Sequence, residues 1–153
     1  MQGNSEGAGG AERGPEAGAG SSAAPVPAPV SAAAPASASG WRWDLDDEET
    51  PVVLRHPPGL EQVATAFEWY FDGLVKAKDV MQNFLPVWHR LLAEHGPDYS
   101  LSTNSAGAIR KGPDTVELSS NYEHFEPIVI SNALFEEVVA SYRDFAVSDD
   151  RFE

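Results

Sequence analysis

The sequence predicts an α+β domain preceded by a tail of biased composition, and three observations favour this fold class. Residues 1–40 hold twelve Ala, eight Gly, six Ser and five Pro. All fifteen aromatic residues occur from Trp41 onward. Within 41–153, the spacing of apolar residues has a helical period first, a period of two next and a helical period last. Helices followed by a run of strands are typical of helices packed on one face of an antiparallel sheet.

The composition divides the chain near residue 40. Residues 1–40 contain no aromatic residue, no Leu and no Ile, so they cannot bury enough apolar surface to offset the entropy that folding costs. We expect a disordered tail over 1–40, in which Pro25–Val30 extends as a spacer. A single globular domain is expected over 41–153, because this length is common for one domain.

A strand and a helical region open the domain. Pro51–Arg55 is rich in β-branched residues and is followed closely by two prolines, which predicts a short strand. Apolar residues at helical spacing then predict a helix from Leu60 onward. Pro86 lacks an amide donor and disfavours helical backbone at the preceding residue, so we expect a break near 82–86 and either two helices or one bent helix. The apolar stripe comprises Leu60, Val63, Ala64, Phe67, Phe71, Leu74, Val75, Met81, Leu85, Trp88 and Leu92.

The middle of the domain predicts an antiparallel sheet of three to four strands. Apolar and polar residues alternate over 99–103 and again over 115–119, the period of a half-buried strand. Gly112-Pro113-Asp114 separates 106–111 from 115–119 and predicts a hairpin. Residues 127–130 predict a further strand that starts at a proline.

A C-terminal helix completes the predicted fold. Ser131 or Asn132 can cap it, and Glu136 and Glu137 are expected in its first turn. Residues 148–153 are expected to fray. The predicted architecture is therefore N-terminal helices, one bent or two, packed on the small sheet, plus the C-terminal helix.

Charge narrows the classes of partner. The chain has 24 Asp and Glu against ten Lys and Arg, a formal net charge of −14, which disfavours unaided binding to nucleic acid or to an anionic membrane. The chain has no cysteine, which excludes a disulfide framework and a thiolate metal site. It also lacks an apolar run long enough to span a membrane and a recognisable signal peptide, so we expect a cytoplasmic location.

Catalytic and metal-binding motifs are weak in this sequence. His89 and His95 are six residues apart and face different sides of a helix, so they do not match a zinc-binding spacing. The acidic run 44–49 lacks the Gly and the terminal Glu of a calcium loop. We therefore expect no cofactor and no metal. The alternative hypothesis is a small enzyme or ligand-binding domain that uses His89, His95 or His124.

Carboxylates and aromatic residues outside the apolar stripe indicate a function more strongly than the histidines do. The run 44–49 places five carboxylates in six positions. Trp69 and Tyr70 leave the apolar stripe of the predicted helix, and Trp69 has carboxylates nearby, which is typical of a contact surface for a basic partner. The candidate protein-binding residues are Asp44, Asp46, Asp47, Glu48, Glu49, Glu68, Trp69 and Asp72.

Three aromatic and acidic segments resemble the small acidic immunity-type proteins of bacterial polymorphic toxin systems. They are Phe67–Leu74, Phe84–Trp88 and Val116–Tyr122, and the resemblance spans residues 60–146 at most. It implies a protein that binds and blocks a toxin, often a nuclease, without catalysis. The Ala/Pro/Gly tail departs from the compact form of such proteins.

Together these observations give the sequence-based hypothesis. We expect a non-enzymatic acidic module that binds a basic protein and neither nucleic acid nor membrane. The resemblance implies that this basic protein is a toxin domain. The oligomeric state is left open by the sequence. A structural accessory domain on a tether is a third interpretation.

Overall fold

Six strands and three helices make up the part of the chain that the computed structural model describes, residues 40–153. The expected disordered tail lies outside these residues except for Gly40. The strands form a two-stranded sheet and a four-stranded sheet, both antiparallel. The α+β fold class is confirmed.

The two-stranded sheet is a hairpin that the sequence predicted only in part. β1 (Arg42–Leu45) pairs with β2 (Pro51–Arg55), the strand that was predicted. Asp44 and Leu45 of the acidic run 44–49 belong to β1, and residues 46–49 lie in the turn between the two strands. Trp43 and Leu45 of β1 are buried, so apolar burial on one side of the strand explains why this segment pairs.

Two helices follow, but the break between them does not lie near 82–86, where it was predicted. α1 spans Glu61–Asp72 and α2 spans Lys78–His95. α1 ends at Gly73, where the chain passes very close to another loop: a Cβ on Gly73 would lie 2.5 Å from Thr103 Oγ1. A glycine is therefore required where α1 ends.

Pro86 lies inside α2 and does not interrupt it. Its ring and Gln82, four residues earlier, are both exposed. Water can therefore reach the Gln82 carbonyl that receives no amide bond from the proline. α2 ends at Gly96, which has a positive φ of 73°.

The four-stranded sheet has the order β3-β4-β5-β6, so each strand lies beside its neighbours in sequence. The strands are β3 (Tyr99–Ser102), β4 (Ala106–Arg110), β5 (Thr115–Ser120) and β6 (Ile128–Ser131). All four predicted strand positions are confirmed. One face packs on the helices through buried side chains such as Ala108, Val116, Leu118 and Ile130. The other face carries exposed Ser100, Ser102 and Val129.

The last helix, α3 (Asn132–Ser148), begins as predicted with Ser131 as its cap. The Ser131 hydroxyl accepts a hydrogen bond from the Leu134 amide at 3.0 Å. Because the helix starts at Asn132, Glu136 and Glu137 lie beyond its first turn, contrary to the prediction.

The chain end does not fray as predicted. Phe152 is 3% exposed, and its ring meets those of Tyr142 and Phe145 edge-on. The Glu153 carbonyl accepts a bond from the Lys78 amide at 2.7 Å. An aromatic residue four positions beyond the end of α3 thus fixes the segment against the helices.

An aromatic core joins the hairpin to the helices. Phe71 of α1 stacks on Tyr142 of α3 with ring centroids 4.0 Å apart, and Trp43 of β1 packs edge-on against both rings. The Trp43 indole N–H donates to the Ser141 hydroxyl at 2.9 Å. Tyr70, expected outside the apolar stripe, is fully buried, and its hydroxyl donates to the Leu101 carbonyl at 2.8 Å.

We predict that Ser141→Ala lowers the free energy of unfolding by about 1–3 kcal/mol, because the buried Trp43 N–H loses its acceptor. The measurement is urea unfolding. Ser148→Ala is the matched control, since both hydroxyls donate to a carbonyl three residues earlier in α3 but Ser148 is exposed. Equal losses in the two variants would contradict the role assigned to the Trp43 hydrogen bond.

Candidate functional site

The acidic turn of the hairpin is ordered by its own side chains. Asp46 Oδ1 accepts bonds from the amides of Glu48 and Thr50, both at 2.9 Å. Glu49 adopts a left-handed conformation with φ of 62°. Asp46, Asp47, Glu48 and Glu49 are all exposed, so this predicted part of the binding surface lies at the protein surface.

Asp44, by contrast, is engaged within the chain. Its carboxylate lies 2.7 Å from the guanidinium of Arg151, which is also 2.7 Å from Asp149. Hydrogen bonds from Arg151 are the main reason that the pKa of Asp44 lies below its ordinary value. They are also the main reason that the pKa of Asp149 is lowered to about 2. Asp44 therefore connects the hairpin to the chain end rather than standing free for a partner.

Glu68 also has a structural contact. Its Oε2 accepts a bond from the Val53 amide at 2.8 Å and so joins α1 to β2. Val53 pairs with Trp43 across the hairpin, so this carboxylate helps to set the position of the hairpin beside α1. Its neighbour Trp69 lies on the outer side of α1, and Asp72 is exposed.

Trp69 is covered on one side by a histidine. The rings of Trp69 and His124 stack with centroids 3.8 Å apart and planes 6° apart. His124 lies in the loop between β5 and β6 and is exposed, while Trp69 is half-buried. The other three tryptophans are at most 5% exposed. Trp69 is therefore the one tryptophan that a partner could reach.

Shallow grooves lie on both sides of this stacked pair. One, of about 150 Å³, lies between α1 and β2 and is lined by Thr50, Pro51, Val52, Glu68 and Trp69. The other, of about 320 Å³, lies between α1 and the β5–β6 loop and is lined by Glu61, Gln62, Thr65, His124, Phe125, Glu126 and Ile128. We call these two grooves, together with Asp72 and the acidic turn 46–49, the α1 face.

The alternative hypothesis required histidines that converge with carboxylates. His89 pairs with Glu136 at 2.8 Å and His95 with the adjacent Glu94 at 3.8 Å, while His124 stacks on Trp69. Within residues 40–153, no group of three or more His, Asp or Glu side chains is placed to hold a metal ion. The same residues contain no helix with the length and apolarity that a membrane crossing requires.

Two carboxylates of the α1 face were missed by the sequence analysis. Glu61 and Glu126 stand on opposite walls of the larger groove. The spacing of Glu61, Thr65 and Asp72 along one side of α1 could have identified the first. Glu126 reaches the groove only because the sheet returns its loop to α1, which no local pattern indicates.

No protein-family model, curated protein or solved structure matches the chain.

We predict that Arg151→Gln destabilises the protein at neutral pH and that this difference shrinks as the pH falls from about 4 towards 2. The pKa values of Asp44 and Asp149 are lowered in the folded state, so their stabilisation is present above the unfolded pKa and is lost as pH falls through the folded values. Thermal unfolding measured against pH tests this.

Arg143→Gln is the control, because it removes the same charge from another ion pair, with Asp144. A pH dependence that changes equally in both variants would contradict the assignment to Arg151.

Proposed function

We propose that this protein is a non-enzymatic module that binds a cationic protein through the α1 face. The observation that carries the proposal is Trp69, a half-buried aromatic residue held by His124 between two grooves. Binding energy in protein interfaces concentrates on such aromatic residues, which are enriched among residues that cannot be truncated without loss.

The charge of the α1 face supports a basic partner. Glu61, Asp72 and Glu126 take part in no ion pair among residues 40–153. Asp47 and Glu48 in the acidic turn are likewise without a cationic partner in this part of the chain. A surface with this much uncompensated negative charge attracts a cationic protein and disfavours an acidic one.

The shape of the larger groove supports the insertion of basic side chains. Phe125 and Ile128 are half-buried and give it an apolar floor, while Glu61 and Glu126 flank it. A Lys or Arg side chain has an apolar stem and a charged head. Such a side chain can place its stem on the floor and its head beside a carboxylate.

The finer proposal follows the resemblance to immunity-type proteins. In this form the partner is a basic toxin domain in the cytoplasm, and the bound module covers the surface that the toxin needs. Its test is the growth of cells that produce the toxin encoded by an adjacent reading frame, with and without this chain. Rescue by the native chain and loss of rescue with Trp69→Ala are expected; rescue that is unchanged by the variant would contradict it.

We predict that a ten-residue arginine peptide binds the full-length chain at low salt and shifts NMR amide signals mainly on the α1 face. Trp69→Ala should raise its Kd at least fivefold, because the stacked ring is lost. Raising NaCl to about 0.5 M should weaken binding, since screening shortens the range of charge attraction.

Two charge-matched double variants distinguish binding at a defined site from attraction to the net negative charge of the protein. Glu61→Gln with Glu126→Gln should weaken binding several-fold more than Asp144→Asn with Asp150→Asn, although each pair removes two negative charges. If both pairs weaken peptide binding equally, or if the signal shifts are spread evenly over the surface, the peptide binds through net charge alone and the proposed site is contradicted.

A further inference from the structure

A second surface lies at the β3 edge of the four-stranded sheet, whose other edge strand is β6. Among residues 40–153, β3 pairs with β4 alone, through Tyr99 with Arg110 and Leu101 with Ala108. The Thr103 amide donates to the Ala106 carbonyl at 2.8 Å in the same register. Because hydrogen-bonding direction alternates along an antiparallel strand, the peptide groups of Ser100 and Ser102 face away from β4. These are the unpaired groups on which another strand can form.

An apolar groove borders this edge. It has a volume of about 290 Å³ and lies between α2 and β3, where Val80, Phe84 and Val87 of α2 face Leu101 of β3. Leu74 extends it beyond the start of α2, and no charged side chain lines it. The groove is on the helix side of the sheet, so alternate side chains of an added strand would enter it.

We propose that β3 accepts an extended segment of a partner protein as an added antiparallel strand, with apolar side chains at alternate positions seated against α2. Backbone hydrogen bonds to Ser100 and Ser102 supply affinity, and the groove selects the side chains. This surface is separate from the α1 face, so the inference does not depend on the function proposed above.

Charge indicates what flanks the apolar segment. Exposed Asp79 precedes Val80 in the first turn of α2, and exposed Asp98 immediately precedes β3. α2 and β3 are joined by a short turn and run in opposite directions, so the two carboxylates stand at opposite ends of the groove. An added segment with Lys or Arg on both flanks complements them.

The same charges argue against a second copy of this chain as the occupant. Pairing of two β3 strands would bring two copies of Asp98 to one interface. Each chain also carries a formal net charge of −14, so the copies repel one another. The occupant to which the charges point is a different protein.

The test selects binders to the full-length chain from a phage-displayed library of random twelve-residue peptides. Enriched peptides should carry apolar residues at alternate positions with Lys or Arg on the flanks. Val87→Lys should raise the Kd of a synthetic enriched peptide at least tenfold. Val129→Lys adds the same charge at a residue that is 61% exposed on β6, and it should change the Kd less than twofold.

N-methylation of the peptide tests the strand geometry itself. In a segment added antiparallel to β3, the residues between the apolar ones direct their N–H groups to β3, while the apolar residues direct theirs to solvent. Methylation of the intervening amides should therefore raise the Kd at least tenfold, and methylation of the apolar residues' amides should leave it within twofold.

Each contrary result has a definite meaning. No enriched peptide, or equal effects of the two methylation patterns, would overturn the proposal. Peptides that are lost with Trp69→Ala and retained with Val87→Lys would overturn it while supporting the α1 face as the binding surface. Dimers in sedimentation equilibrium that Val87→Lys dissociates would assign β3 to a second copy and also overturn it.

Discussion

The burial of Trp43 is the contact on which the candidate surface depends. Its ring lies against Phe71 and Tyr142, and its indole N–H bonds to Ser141, so one side chain attaches the hairpin to α1 and α3 together. Burial of a large aromatic ring contributes on the order of 2 kcal/mol or more, and an edge-on aromatic pair adds to this. Together with the hydrogen bond between Glu68 and the Val53 amide, this attachment holds Thr50–Val52 beside Trp69 as a wall of the smaller groove.

Local signals in the sequence were sufficient for most of the fold. Alternating residues and turn chemistry predicted the four-stranded sheet, and a side-chain cap predicted the start of α3. The errors arose where a distant contact decided the structure. Glycine is required at the end of α1 because another loop occupies the space of a Cβ on Gly73, whereas Pro86 is tolerated because its side of α2 faces water. A proline signals a break from sequence alone, but the burial of its surroundings determines whether one occurs.

The sequence predicted the types of residue at the candidate site better than it predicted their positions and contacts. Carboxylates and Trp69 were recognised from their types and spacing, and the structure places Trp69 at the surface. Asp44 and Glu68 proved to hold the hairpin through Arg151 and Val53. His124 and Glu126 join the site from a loop more than 50 residues along the chain from Trp69, and only tertiary packing brings such residues together.

The negative face results from where the cations lie as much as from the excess of carboxylates. Arg110 is 3% exposed and binds uncharged oxygens and the Trp88 ring inside the fold, so it neutralises nothing at the surface. Lys76, Arg90, Lys111, Arg143 and Arg151 are each paired with a carboxylate of the chain.

Arg42 and Arg55 are cross-strand neighbours at the open end of the hairpin, which is the end opposite the acidic turn. The hairpin is thus positive at one end and negative at the other. The negative end adjoins the smaller groove beside Trp69, so negative charge and the accessible aromatic ring lie together. This is the arrangement on which the proposed binding of a cationic protein rests.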